Sequence, residues 1–344
     1  MGDIMHTIDL SKYNYRTDLV LDEISEDYED IEHFDFDEVS VDRLEITAKN
    51  KANFNKNTGK YITITFKDIT DKDNFKKVED VLIKELKNLF SNYSITNKKI
   101  LVVGLGNSNS TPDALGPKTI DNTLVTNHLF EIGEVESGYE RVCCFKPQVT
   151  ANTGMETKTI IESLVKSLNI DMLIVIDALA SSSINRVNKT IQISTAGISP
   201  GSGVGNNRKE ISTKTLNIPV IAIGVPTIVD AATIVFDTFG YILKKISYKI
   251  DNINNLKLKL VSDNSQDYSN HKTNLSNDLK EKILGMVGTL NEAELKSLIY
   301  EVLSPIDYNL MVTPKEIDFI IEKLSLLIGN GLNKSIHKIL NPTN

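Results

Sequence analysis

Tryptophan is absent from the 344-residue chain, aromatic residues make up only 6% of it, and cysteine occurs twice. Without indoles, no Trp-built binding platform exists. The two cysteines are neighbours, Cys143 and Cys144. Consecutive Cα atoms sit about 3.8 Å apart across a trans peptide, under the roughly 4.4 Å that disulfides usually need. They read as free thiols of a reducing compartment. No apolar run is long enough to cross a bilayer, so no membrane partner is expected. The opening MGDIMHTIDLSKYNYRTD has neither a basic region nor an apolar run, and reads as no secretory signal. His6 stands where a myristoylation motif needs Ser or Thr. The expected location is the cytoplasm. Positive charge is scarce as well: 38 Lys and Arg face 46 Asp and Glu, for a net charge of -8. Duplex binding needs clustered cations to neutralise phosphates, so direct nucleic-acid contact is not expected. The histidines, His6, His33, His128, His271 and His337, are dispersed and share no ligand spacing. Neither a metal nor a cofactor is expected.

What is present is a globular composition. Hydrophobic residues make up 40% and charged residues 24%, enough for a sizeable core. The first sixty residues read as irregular and acidic, with Asp22, Glu23, Glu26, Asp27, Glu29 and Asp30 crowded together as a solvated segment. Tyr61–Phe66 alternates like a strand, and residues 74–90 carry apolar side chains at helical spacing. The centre alternates strand and helix. Ile100–Val103, Met172–Ile176 and Val220–Ile223 are short apolar runs of the kind buried in parallel sheets, and Thr190–Ser194 is a further strand. Residues 117–130, 155–168 and 227–246 read as helices. The rhythm predicts an α/β fold with a mostly parallel, twisted sheet and helices on both faces. Residues 247–276 are polar and read as an excursion. From 277 to 341 the pattern is helical, with Thr313-Pro314-Lys315-Glu316 as a capping box.

Three motifs carry chemistry. GLGNSNSTPDALGP, Gly104 to Pro117, follows an apolar strand and precedes a helix. That puts Asp113 in a strand-to-helix loop, where ligands bind in open α/β sheets; alternatively Asp113 is a turn residue. LIVIDALA, Leu173 to Ala180, ends an apolar strand on Asp177. A carboxylate there must be paired, hydrogen-bonded or solvated in a cleft. If the two strands are adjacent, both carboxylates face one crevice. Such a pair can share a proton, one acting as base on a water and the other as acid. SPGSGVGNNRKE, Ser199 to Glu210, fits neither a phosphate loop nor a dinucleotide fingerprint. Its G-x-S-x-G match fails as a nucleophile elbow, since Pro200 has no N–H for an oxyanion. The loop residues Gly201, Ser202, Gly203, Gly205 and Arg208 are candidates for holding substrate or an oxyanion, or form a structural glycine loop.

At these motifs the chain resembles the germination proteases of endospore-forming bacteria. The matching strings are VVGLGN, TPDALGP, IDALA, GISPGSGVGN, IPVIAIGVPT, LIYEVLSP and NLMVTPKE, spread from about residue 100 to 335. A short N-terminal match, LSKYNYRTDLVLD, adds to them. The resemblance implies an endopeptidase made as a zymogen in the spore core. It implies a homotetramer that degrades small acid-soluble, DNA-binding spore proteins on germination. The two aspartates regarded as essential in the family fall at Asp113 and Asp177. Self-cleavage after the acidic residue of R-T-D falls at Asp18-Leu19. Residues 1–18 would then be a propeptide and 19–344 a single α/β peptidase domain. Val20 stands where the family has a small residue, and residues 20–60 and 247–276 diverge. The same aspartate positions resemble those of hydrogenase-maturation peptidases, which implies a core of that kind. Two other readings stay open: a nickel-dependent peptidase of that type, and a non-catalytic protein that binds anions or peptides.

Overall fold

Two apolar strands, Lys99–Gly104 and Met172–Ser181, lie side by side and parallel, with Ile100 opposite Met172 and Gly104 opposite Ile176. Their side chains alternate between two separate clusters. Ile100, Val102, Ile174 and Ile176 face one side; Leu101, Val103, Leu173 and Val175 face the other. A strand apolar on both faces has to be covered on both, and that requirement organises the protein. The computed structural model describes residues 17–24, 28, 30–201, 209–255, 268, 271–303 and 310–340.

The strands are β1 (Glu32–Phe36), β2 (Val39–Ile46), β3 (Gly59–Phe66), β4 (Lys99–Gly104), β5 (Arg141–Phe145), β6 (Met172–Ser181), β7 (Thr190–Ser194), β8 (Val220–Asp230) and β9 (Met311–Val312). The helices are α1 (Lys72–Ser91), α2 (Leu115–Asp121), α3 (Asn127–Ile132), α4 (Thr150–Thr153), α5 (Thr157–Ser167), α6 (Thr213–Leu216), α7 (Ala231–Asp251), α8 (Asn277–Leu284), α9 (Glu292–Leu303) and α10 (Ile317–Ile336). The chain divides into two compact units. The larger holds the described residues up to Ile228 and those from Thr313 onward; the smaller is Val229–Val312.

In the larger unit the sheet runs β1-β2-β3-β7-β8-β6-β4-β5. Its β5-β4-β6 part is parallel, and the run from β8 out to β1 is antiparallel. The α/β class and the parallel centre are as expected, and the antiparallel wing widens the sheet. Helix α1 begins where Asp71 accepts hydrogen bonds from the backbone of Asp73 and Asn74, a side-chain cap. It buries Val78, Leu82, Leu86 and Leu89 beside Ile321, Leu324, Leu327, Ile328 and Leu332 of α10 on one sheet face. Helix α5 covers the other face with Ile161 and Val165. A third cluster, on that same second face under the antiparallel wing, joins Val20 to Leu44, Ile46, Phe54, Tyr61 and Ala196.

The smaller unit is built on α7. Asp230 caps it by accepting from Thr233 N at 2.7 Å and Thr233 Oγ1 at 2.6 Å. Strand β9 pairs with the end of β8, Val229 opposite Val312. Helices α8 and α9 also belong to it, and with α10 of the larger unit they make the C-terminal portion helical, as expected. Asn291 and Glu294 cap the start of α9 reciprocally, each backbone N–H donating to the other's side chain.

Several expectations on local structure are corrected. The acidic first sixty residues contain β1 and β2. The helix expected over 117–130 is two, α2 and α3. Thr126 breaks it by pinning the chain to β5: its hydroxyl donates to Glu140 O and accepts from Val142 N. The Thr313 capping box does not form, because the Thr313 hydroxyl donates to Thr227 O at 2.8 Å; α10 starts at Ile317 instead. Helix α7 extends to Asp251, into the stretch read as an excursion.

Candidate active site

Asp113 closes a 3₁₀ turn, Thr111–Asp113, in the loop that leaves β4. The loop is folded back on itself: Asn107 N donates to both Asp113 O (3.1 Å) and Asp113 Oδ2 (2.8 Å). Gly106 adopts φ +109°, and a side chain there would run into Asp113 O and lie 3.0 Å from Asp113 Oδ1. Only glycine meets both demands. Gly104 and Gly116 touch through their backbones, so the loop returns tightly against the end of β4.

Asp177 lies within β6, which continues to Ser181, and is 6% exposed. The expectation that it ends its strand is corrected: the residues after it stay extended. Its Oδ1 accepts from Ala178 N at 3.0 Å. Strands β4 and β6 are adjacent and parallel, with Gly104 opposite Ile176, so the loop of Asp113 begins beside the residue preceding Asp177. Leu105 N donates to Ile176 O at 2.8 Å, which ties the loop directly to that strand.

The segment Thr17–Ile24 is laid along the same strand and its neighbours. Asp18 N donates to Ala180 O and Ala180 N donates to Asp18 Oδ2, both at 3.0 Å. Gln192 of β7 brackets the following peptide: its Nε2 donates to Asp18 O (3.1 Å) and its Oε1 accepts from Val20 N (2.7 Å). Leu19 and Val20 are fully buried. Further on, the Asp22 carboxylate accepts from Thr17 Oγ1 (2.5 Å), Ser181 Oγ (3.0 Å) and Ser182 N (2.8 Å). Arg186 Nε lies 2.7 Å from its other oxygen. Asp18 and Leu19, singled out from the sequence, are thus held against the strand of Asp177.

The glycine loop is only partly placed. Its base is closed by Ile198 and Ile211, which exchange two backbone hydrogen bonds of 2.9 Å. Gly201 sits at φ +73°. Ser202, Gly203, Gly205 and Arg208 lie outside the described residues, as does His6. His33 pairs with Asp42 and Asp35 on β1 and β2, His271 with Asp251, and His337 accepts from Glu140 N beyond α10. Among the described residues no three His, Cys, Asp or Glu side chains cluster to hold a metal. Cys143 and Cys144 are free on β5. Burial pushes both thiols up, Cys144 to about 12.

Sequence reasoning missed Gln192, Arg186 and Asp22. Gln192 carries a weak signal: it is the lone amide in the run Thr190-Ile191-Gln192-Ile193, with fully buried neighbours on either side. Composition assigns Asp22 to a solvated acidic run, yet its side chain is 1% exposed.

The family model described as germination protease matches residues 13–344. A germination protease of Geobacillus sp. (strain WCH70) is 40% identical, covering 98% of this chain and 98% of its own. That of Priestia megaterium is 41% identical over 96% of this chain and 95% of its own. Among solved structures, the NiFe hydrogenase maturation protease HycI from Thermococcus kodakarensis KOD1 is similar at 15% identity and a TM-score of 0.27. The match covers 42% of this chain and 80% of that one. With a family match over nearly its whole length, and relatives at 40–41% identity end to end, this chain belongs to the germination protease family of peptidases.

Proposed function

We propose that the chain is a self-processing spore germination endopeptidase in which Asp113 and Asp177 activate a water. The observation that carries this reading is the convergence on β6. The loop of Asp113 is bonded to Ile176 O, and the Asp18-Leu19 segment is bonded to Ala180, on either side of Asp177. In the proposed step one aspartate takes a proton from water as its oxygen attacks the Asp18 carbonyl carbon. The carbonyl oxygen takes up the negative charge. The C–N bond to Leu19 then breaks, and the other aspartate gives its proton to the departing nitrogen. The products are the Asp18 carboxylate and the Leu19 amine. No covalent acyl-enzyme is required.

Residues 1–18 act in this reading as a propeptide, and acidification triggers its removal by shifting the protonation of the pair. The substrates are small acid-soluble, DNA-binding spore proteins, cut between an acidic and an apolar residue in the spore core. The working assembly is a homotetramer. The Gly201–Gly205 loop and Arg208 hold substrate.

Intact-mass analysis of the full chain at mildly acidic pH tests the core of this. Wild type, Asp113→Asn and Asp177→Asn are incubated side by side. Loss of residues 1–18 in wild type alone is the expected result. Cleavage in all three sinks the aspartate mechanism. No cleavage in any, with no digestion of a small acid-soluble spore protein, favours the non-catalytic reading.

A further inference from the structure

We propose that the side-chain amide of Gln192 is the oxyanion donor of this peptidase, and that it also holds the peptide being cut; the inference rests on the function proposed above. Gln192 lies between Ile191 and Ile193 on β7, both packed into the α1/α10 face. Alternation along the strand turns Gln192 to the opposite face, the one that β6 presents through Leu173 and Val175, and Asp177 is in phase with those two. Gln192 is opposite Gly224 of β8, and β8 runs between β7 and β6. Strands β6 and β8 start together, with Leu173 N donating to Pro219 O. Counting four residues on along both brings Asp177 level with Ile223 and Gly224. Gln192 and Asp177 therefore flank β8 at one height, on strands two spacings, or about 10 Å, apart.

The Asp18–Val20 peptide, bonded to Ala180 three residues beyond Asp177 on β6, presents its groups to Gln192 with defined polarity. Val20 N–H donates to Oε1 at 2.7 Å, so the amide can turn only one way, and Nε2 must face the Asp18 carbonyl oxygen, 3.1 Å distant. That oxygen belongs to the bond proposed to break. A pre-aimed N–H at about 2.7–3.1 Å from a developing oxyanion is the geometry that stabilises a tetrahedral intermediate. When water adds to the carbonyl carbon, the charge that forms on the oxygen meets the Gln192 N–H. The amide itself neither gains nor loses a proton. An ionised glutamate at this position keeps the acceptor for Val20 and loses the donor for Asp18. The residue type therefore separates the two duties of holding and stabilising.

The experiment follows loss of residues 1–18 by intact mass in wild type, Gln192→Glu, Gln192→Met and Asp177→Asn full-length chains, with a thermal melt of each. Gln192→Glu preserves shape and the Val20 acceptor, and Gln192→Met preserves volume alone. The expected result is processing slowed about 10²–10³-fold in both Gln192 variants, with Gln192→Glu melting within a few degrees of wild type. Processing of Gln192→Glu near the wild-type rate, with only Gln192→Met slow, would reduce Gln192 to a peptide clamp and overturn the proposal. Wild-type rates in both would overturn it outright. If Asp177→Asn processes like wild type while the Gln192 variants are slow, the aspartate reading fails and the oxyanion donor stands. No cleavage at Asp18-Leu19 in wild type overturns both.

Discussion

Gly116→Ala is the sharpest test of how the fold positions Asp113. A Cβ built on Gly116 would meet only backbone: Leu105 O, Leu105 N at 2.6 Å and Ile176 O at 2.7 Å. None of these can swing aside as a side-chain tip does. Ordinary van der Waals contact begins near 3.4 Å, so the last two each demand about 0.7–0.8 Å of movement, and Leu105 O, closer still, demands more. The loop and the start of α2 must retreat from β6 by roughly 1 Å, which is the scale of an overpacked core at about 1–3 kcal/mol. The Leu105 N to Ile176 O bond of 2.8 Å sits in the same contact. Its loss adds about 1 kcal/mol. The total of about 2–4 kcal/mol corresponds, for a chain of 344 residues, to a melting temperature lower by roughly 3–6 °C. Misplacing a reacting group by about 1 Å can cost on the order of 10²-fold in rate, so self-processing should slow by about that factor. Calorimetry and intact-mass kinetics on the same sample give both numbers. A variant that melts within about 1 °C of wild type and processes within twofold of it would refute the reasoning.

The remaining predictions concern stability. Asp22→Ala strands Arg186 beside an emptied site. Removing one partner of a buried pair costs about 3–5 kcal/mol, reduced here to about 2–3 kcal/mol because Arg186 keeps 28% exposure and can turn to water. Urea melts of Asp22→Ala, Arg186→Met and the double variant should show the double costing less than the two singles together, and strict additivity would remove the pair from the account. Burial pushes His337 down to about 4 from 6.5, and its Nδ1 accepts from Glu140 N only when unprotonated. The unfolded chain therefore binds the proton more readily. The stabilisation is complete above about pH 6.5 and is lost as pH falls toward 4, by on the order of 2–3 kcal/mol. Melting temperature plotted against pH should fall more steeply over that window in wild type than in His337→Gln, and parallel curves would contradict it.

The sequence by itself determined the class of the fold and singled out the two aspartates as candidates. Both depend on short-range pattern. Short apolar runs such as Ile100–Val103 and Met172–Ile176, alternating with helical patterns, read as strands buried on both faces, and a carboxylate closing such a run stands out against it. The tight turn around Asp113 is likewise local, since Gly106 at φ +109° and the bond from Asn107 involve residues close in the chain. What only the tertiary structure decided is contact over long separations. Gln192 reads as one polar residue in a strand until Asp18, 174 positions earlier, is seen against it. Asp22 belongs to an acidic run that composition assigns to solvent, and it is buried because Ser181, Ser182 and Arg186 supply donors from far along the chain. The breaks in expected elements have the same origin. Thr126 interrupts a helical pattern because β5 offers its backbone, and Thr313 abandons a cap for Thr227 O. A side-chain hydroxyl or amide has several partners of similar worth, and only the assembled fold fixes which one is within reach.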